Sequence, residues 1–201
     1  MNRLHTATAA AIVSFLAAAS TRAAISYAWT TDAPVYTIAP GGSQTVHLFL
    51  QETDATSTEG IAAEGGLLGV GFTVTSSGPG MIVSFAPNMA AFSDTTSKTL
   101  TPISAAFRGE IPFDATVGPN PNADGRIDLG TISVTSIGPA NTTFTIGDFG
   151  PNAQTGTVNG TGVLDDSIAA GSFTVAVPEP ASVALITGTA MLALRRGRRR
   201  G

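Results

Sequence analysis

Between residues 24 and 177 the apolar side chains recur at every second position, not at every third or fourth, which is the spacing of strands with one buried face. Ile25, Tyr27 and Trp29 alternate with small or polar residues, and so do Val46, Leu48 and Leu50, then Val70, Phe72 and Val74, and finally Phe173, Val175 and Val177. Tyr36 to Ile38, Met81 to Phe85, Leu100 to Phe107, Ile127 to Val134 and Thr142 to Ile146 complete the set. The runs are divided by Pro40-Gly41-Gly42-Ser43, Ser77-Gly78-Pro79-Gly80, Gly118-Pro119-Asn120-Pro121-Asn122 and Gly138-Pro139-Ala140-Asn141, residues that fix or invert φ and so interrupt a ladder. Only Pro87 to Ser93 invites a helical turn. About nine short strands joined in this way predict an all-β protein, a single β-sandwich over residues 24–176. Within Ile127 to Val134 the apolar parity changes at Gly130, which predicts a β-bulge there.

Both ends break this pattern. In residues 1–23, Arg3 precedes an apolar run from Ala7 to Ala19 and the small residues of Thr21-Arg22-Ala23 follow. That order predicts a secretory signal helix cut after Ala23. Residues 177–201 contain Pro178-Glu179-Pro180, fourteen uncharged residues from Ala181 to Leu194, and then Arg195, Arg196, Arg198, Arg199 and Arg200. As a short hydrophobic helix the uncharged stretch spans about 21 Å, less than the roughly 30 Å hydrocarbon core, so it depends on the arginines to snorkel and to hold it from the cytoplasmic side. A chain exported at its front and retained at its back leaves its body outside the inner membrane.

The tail resembles the PEP-CTERM sorting signal of bacterial surface proteins, with Pro178-Glu179-Pro180, the uncharged stretch and the arginine cluster in the same order over Val177 to Gly201. The resemblance implies that an exosortase, a membrane cysteine protease usually of bacteria that make exopolysaccharide, recognises and cuts it. It also implies that the inner membrane is a transient partner. The two prolines keep the cut segment extended and accessible.

These ends change the meaning of the charge. The chain has 10 Lys+Arg, 14 Asp+Glu and a formal net charge of -4, yet only Lys98, Arg108 and Arg126 lie between the two basic ends, against thirteen acids from Asp32 to Asp166. The acidic body excludes a nucleic-acid partner, which requires a basic surface. The absence of cysteine excludes disulfides, thiolate metal sites and a cysteine nucleophile.

Parts of the body are similar to cohesin-like β-sandwich modules: Tyr36 to Leu48 with its Pro-Gly-Gly turn, Gly69-Val70-Gly71-Phe72-Thr73-Val74, and Leu129 to Val134. Thr75-Ser76-Ser77-Gly78 stands where that family often carries Asp-Pro.

Candidate chemistry is sparse. His47 is the one histidine after residue 23, expected on an outer strand face with Thr45 and Phe49, and no nucleophile turn accompanies it. Asp165 and Asp166 are adjacent and too close in sequence to form a paired-carboxylate site on one strand face. Asn120, Asn122, Asp124, Gly125 and Asp128 have the oxygen spacing of a calcium loop, but Thr131 occupies the place of the bidentate Glu. The same residues fit an Asn/Asp/Gly hairpin turn without metal. Asn141-Thr142-Thr143 and Asn159-Gly160-Thr161 are sequons that a Thr-rich chain carries by chance. The protein is therefore expected to be non-enzymatic and without cofactor, a structural or adhesive surface or matrix protein. The alternative is a cohesin-like module binding another surface protein or an exopolysaccharide, with Tyr27, Trp29 and Tyr36 as the rings for sugar.

Overall fold

The computed structural model of the protein describes residues 25–53, 60–112, 115, 117–138, 140–149, 157–159, 162–164 and 167–178. Ala23 and the signal segment, the tail from Glu179 onward with its five arginines, and Asp165 and Asp166 lie outside the described residues.

The strands, in chain order, are β1 (Tyr27–Thr31), β2 (Val35–Thr37), β3 (Ser43–Glu52), β4 (Leu67–Ser76), β5 (Met81–Pro87), β6 (Asp94–Thr101), β7 (Ser104–Glu110), β8 (Arg126–Thr135), β9 (Thr142–Asp148), β10 (Val158–Asn159), β11 (Gly162–Val163), β12 (Ile168–Ala169) and β13 (Gly171–Ala176). They form two sheets. One runs β12-β1-β3-β8-β5, the other β6-β7-β4-β9-β13-β2, with the β10–β11 ribbon paired to the first residues of β4. Pairing is antiparallel except for β1 with β12 and β2 with β13. The chain crosses between sheets early: β1 lies in the first, β2 in the second.

Period-two patterning decides what lies between the sheets. From the first sheet Trp29, Val46, Leu48, Leu50, Ile127, Leu129, Ile132 and Val134 point inward, and from the second Val70, Phe72, Val74, Phe107, Phe144, Ile146, Phe173 and Val175 meet them. Phe72 is the hub, with its ring centroid 5.9 Å from Trp29, 5.8 Å from Phe85 and 5.9 Å from Phe107. Phe144 and Phe173 stack at 4.9 Å, and Tyr36 meets Phe173 edge-on. Offset and edge-on pairs of this kind add to the burial of large apolar area.

The parity change at Gly130 is a bulge. Leu48 pairs with Gly130 and Phe49 with Asp128, so Leu129 is the extra residue. Gly130 adopts φ +116, and a Cβ there would lie 2.3 Å from the Ala86 carbonyl oxygen. The helical turn expected near Pro87 is one turn closed by Phe92 N–H on the Asn88 carbonyl at 3.1 Å; among the described residues there is no α-helix.

Two expected strands differ. Leu100 to Phe107 is a hairpin of β6 and β7, turned at Pro102 and Ile103. Proline cannot donate to a ladder, and Thr101 and Ser104 clamp the turn, the Ser104 N–H donating to Thr101 Oγ1 at 3.0 Å and Thr101 Oγ1 to the Ser104 carbonyl at 3.1 Å. Met81 to Phe85 carries its own irregularity between Ile82 and Ser84, which turns Val83 out to solvent and returns Phe85 to the core.

Candidate functional site

The rings expected to offer a sugar platform are in the core. Trp29 is 2% exposed, and Tyr27 and Tyr36 are buried as well. Their alternation, continuous with Ile25, follows the inner face of the sandwich, so no flat ring faces water on this edge. Tyr36 instead donates to Asp32 Oδ1 at 2.6 Å, and the His47 N–H donates to the same oxygen at 2.9 Å. Burial acts to raise the Asp32 pKa, but these two hydrogen bonds, together with one from its own backbone N–H and the charge of the nearby His47, outweigh it and hold the carboxyl below its ordinary value. Burial, reinforced by the bond to Asp32, pushes the Tyr36 phenol up to about 12.

His47 lies where the alternation places it, on the outer face of the first sheet with Thr45 and Phe49. Its ring stacks on Phe49 at 6.2 Å and makes no hydrogen bond with a described residue. A base must reach the proton it moves, and no hydroxyl of a described residue is hydrogen-bonded to this ring. Arg126 covers the other part of Phe49, with Cζ 5.4 Å from the ring, and its Nε donates to Gln51 Oε1 at 2.8 Å.

Two side-chain oxygens of the candidate calcium loop, those of Asn122 and Asp128, are turned to the backbone beside them. Asn122 Oδ1 accepts from the Asp124 N–H at 2.9 Å and the Arg126 N–H at 3.0 Å. Asp128 Oδ1 accepts from the Gly130 N–H at 2.9 Å. The segment is an Asx turn leading into β8, not the bend of a hairpin. It is clamped to the end of β3 by Gln51 Nε2 on the Asp124 carbonyl and by the Glu52 N–H on the Gly125 carbonyl. Asn120 is exposed in the preceding loop, and Asn141 uses its Oδ1 to accept from the Val177 N–H at 3.2 Å.

The outer face of the second sheet has a regularity that the search for motifs missed. Thr99 and Thr101 on β6, Thr73 and Thr75 on β4, Thr143 and Thr145 on β9, and Ser172 and Thr174 on β13 all point outward, because the residues between them are apolar or paired inward. The registers align them. Thr101 is opposite Ser104, Ser104 opposite Thr75, Thr75 opposite Thr145 and Thr145 opposite Ser172, so one row of hydroxyls crosses five strands. The next register along carries hydroxyls only at Thr99 and Thr73, which are separated by Ala106 and followed by Gly147. Among the described side chains the charges on this face are Arg108 and Glu110, paired at 3.5 Å near one edge. Threonine at alternate positions was legible, but it fits no catalytic or metal pattern.

No protein-family model and no curated protein sequence matches the chain. Solved structures do. A cohesin module from a family 33 glycoside hydrolase of Clostridium perfringens superposes with a TM-score of 0.50 at 8% identity, covering 78% of this chain and 99% of that module. The fold resembles that of a cohesin module. A ScaB cohesin of R. flavefaciens, solved in complex with a group 1 dockerin, gives a TM-score of 0.48 at 13% identity over 79% of this chain and 99% of that one. The likeness covers 78% of the chain, so the similarity read from Tyr36 to Leu48, Gly69 to Val74 and Leu129 to Val134 extends to the architecture.

Proposed function

We propose that the protein is an exported, non-catalytic module that binds another protein through the hydroxyl-lined outer face of its second sheet. The observation that carries this reading is the cohesin-like fold over 78% of the chain, combined with a broad face lined by short, branched side chains. Threonine has few χ1 states in a strand, so a partner docking on these rows orders little that is not already fixed. A hydroxyl has one donor and two acceptors; Thr73 and Thr101 donate to backbone carbonyls of their own sheet, and the near-absence of charge along the aligned hydroxyls favours close approach. The buried positions of Tyr27, Trp29 and Tyr36 remove the rings on which an exopolysaccharide partner was expected to stack, so a protein is the better occupant.

Delivery follows from the ends of the sequence. The signal segment 1–23 directs export, and the tail with Pro178, Glu179, Pro180 and the arginines from Arg195 to Arg200 holds the precursor at the inner membrane until an exosortase-type protease cuts it. Val177 is still packed in the sandwich and Pro178 is exposed, so the Pro-Glu-Pro motif starts at the surface of the sandwich. Co-purification of one protein with the mature domain, lost when Thr75 and Thr145 are replaced by lysine, tests the binding face.

A further inference from the structure

The strands place the point where the tail leaves at one identifiable end of the sandwich. β13 ends at Ala176 opposite Thr37, the last residue of β2, and the Val177 N–H is held by Asn141 at the start of β9. β3, β5 and β7 begin at this end, and β4, β6 and β8 finish there. Its loops are residues 38–42, 77–80, 102–103 and 136–141, and none contains Asp, Glu, Lys or Arg. They are stitched into one surface. The Gly41 N–H donates to Ser136 Oγ, the Ser77 N–H to the Thr143 carbonyl, the Ile82 N–H to the Pro102 carbonyl and the Ser76 N–H to the Ile103 carbonyl. From it project Ile103, 63% exposed, and Ile137, 48% exposed, with Val83 close behind.

The opposite end has the opposite character. Glu52, Glu64, Asp94, Glu110, Asp124, Asp128 and Asp148 lie at or near it, and its exposed apolar residues, Met89 and Val117, are flanked in sequence by Asp94, Asp114 and Asp124. β3 runs ten residues from one end to the other, a length of about 33 Å. Anionic headgroups are screened within about 10 Å at moderate salt, so the acids are out of their reach when the neutral end faces a membrane, and repelled when it does not.

We propose that the uncharged end bearing Ile103 and Ile137 docks on the lipid bilayer surface while the tail holds the precursor. This rests on the reading of residues 181–194 as membrane-embedded. Only Glu179 and Pro180 separate Pro178 from Ala181, so a fully extended linker spans at most about 11 Å. The tether is too short to lift the sandwich clear of the headgroup region, and the surface it brings down is the one that costs least to desolvate. The docked body holds Pro178-Glu179-Pro180 at the interface, where a membrane protease works.

The chain has no cysteine, so single thiols report one position each. Full-length Ile103→Cys, Ile137→Cys, Glu64→Cys, Asp124→Cys and Ala190→Cys, each carrying an environment-sensitive fluorophore, are reconstituted in phosphatidylethanolamine–phosphatidylglycerol vesicles containing headgroup-level or chain-level nitroxide lipid. The expected result is loss of fluorescence to the headgroup nitroxide at positions 103 and 137, no loss at 64 and 124, and loss to the chain-level nitroxide at 190. Quenching at 190 with positions 103 and 137 behaving like 64 and 124 overturns the docking and leaves the tail reading standing. No quenching at 190 overturns the tail reading and the docking with it. A concentration-dependent response of 103 and 137 without lipid assigns this end to a second copy of the chain and overturns the membrane as its occupant.

Discussion

Trp29 Nε1 donates a 3.1 Å hydrogen bond to Asp148 Oδ1, joining β1 of one sheet to the end of β9 in the other. It is a polar tie between the two sheets, and it lets an indole sit 2% exposed without an orphaned N–H. Replacing Asp148 by alanine leaves that donor without this partner and is expected to cost about 1–3 kcal/mol. Asp148→Asn keeps an acceptor and should cost less. Trp29 is the single tryptophan, so denaturant unfolding followed by its fluorescence reads both variants.

The bulge at Gly130 makes a second prediction. Alanine there combines φ +116 with a Cβ 2.3 Å from the Ala86 carbonyl oxygen and 2.7 Å from Pro87 Cα, so strain and overlap add and the loss should be about 3 kcal/mol or more. At Gly138, φ is +93 but no atom lies within 4 Å of the added Cβ, so Gly138→Ala should cost only about 1–2 kcal/mol. Thermal melts of the two variants should rank in that order.

Acid and alkali should each weaken the fold through one hydrogen-bonded pair. Asp32 is held below its ordinary 3.8, so the unfolded carboxyl binds protons more readily than the folded one; the stabilisation is present above about pH 4 and fades as pH falls through the lower folded value. Tyr36 is raised from 10.0 to about 12, so its contribution is whole below pH 10 and is lost as pH rises from 10 towards 12. Asp32→Asn should flatten the acid limb of a stability profile, and Tyr36→Phe the alkaline limb.

If the ends of the chain are addresses, the intact mass of the protein released by its host should lack residues 1–23 and everything from about Pro178 onward. Released material that retains the five arginines would count against processing. Replacing Pro178, Glu179 and Pro180 by alanine should keep the chain in the membrane fraction.

How much of this was legible depended on whether burial left a mark on residue type. β3, β4, β9 and β13 were readable because Val46, Leu48, Leu50 and their counterparts each face the core at period two. β6 was not, because Asp-Thr-Thr-Ser-Lys-Thr-Leu-Thr has little apolar signal and is held by its pairing with β7. Its Lys98 turns back to donate to the Phe85 carbonyl and sits 5.3 Å from that ring, a use of a cation that composition does not reveal. The Gly130 bulge could be read because one inserted residue flips every later side chain to the other face. The Pro102-Ile103 turn was passed over because Leu100, Ile103 and Ala105 imitate a continuous apolar run. For the binding face, the alternate threonines were visible, but their alignment into rows depends on strand registers between segments up to about seventy residues apart in sequence, which no local pattern encodes.

Purification of the mature protein from its host together with the protein it carries, repeated for Thr75→Lys with Thr145→Lys and for His47→Ala on the opposite sheet, measures whether the hydroxyl rows are the contact surface. The expected result is the same partner with the wild type and with His47→Ala, and its loss from the double lysine variant at an unchanged melting temperature. A partner that stays bound to the lysine variant and leaves the His47→Ala variant would contradict the assignment, and recovery of polysaccharide with no protein would contradict the function.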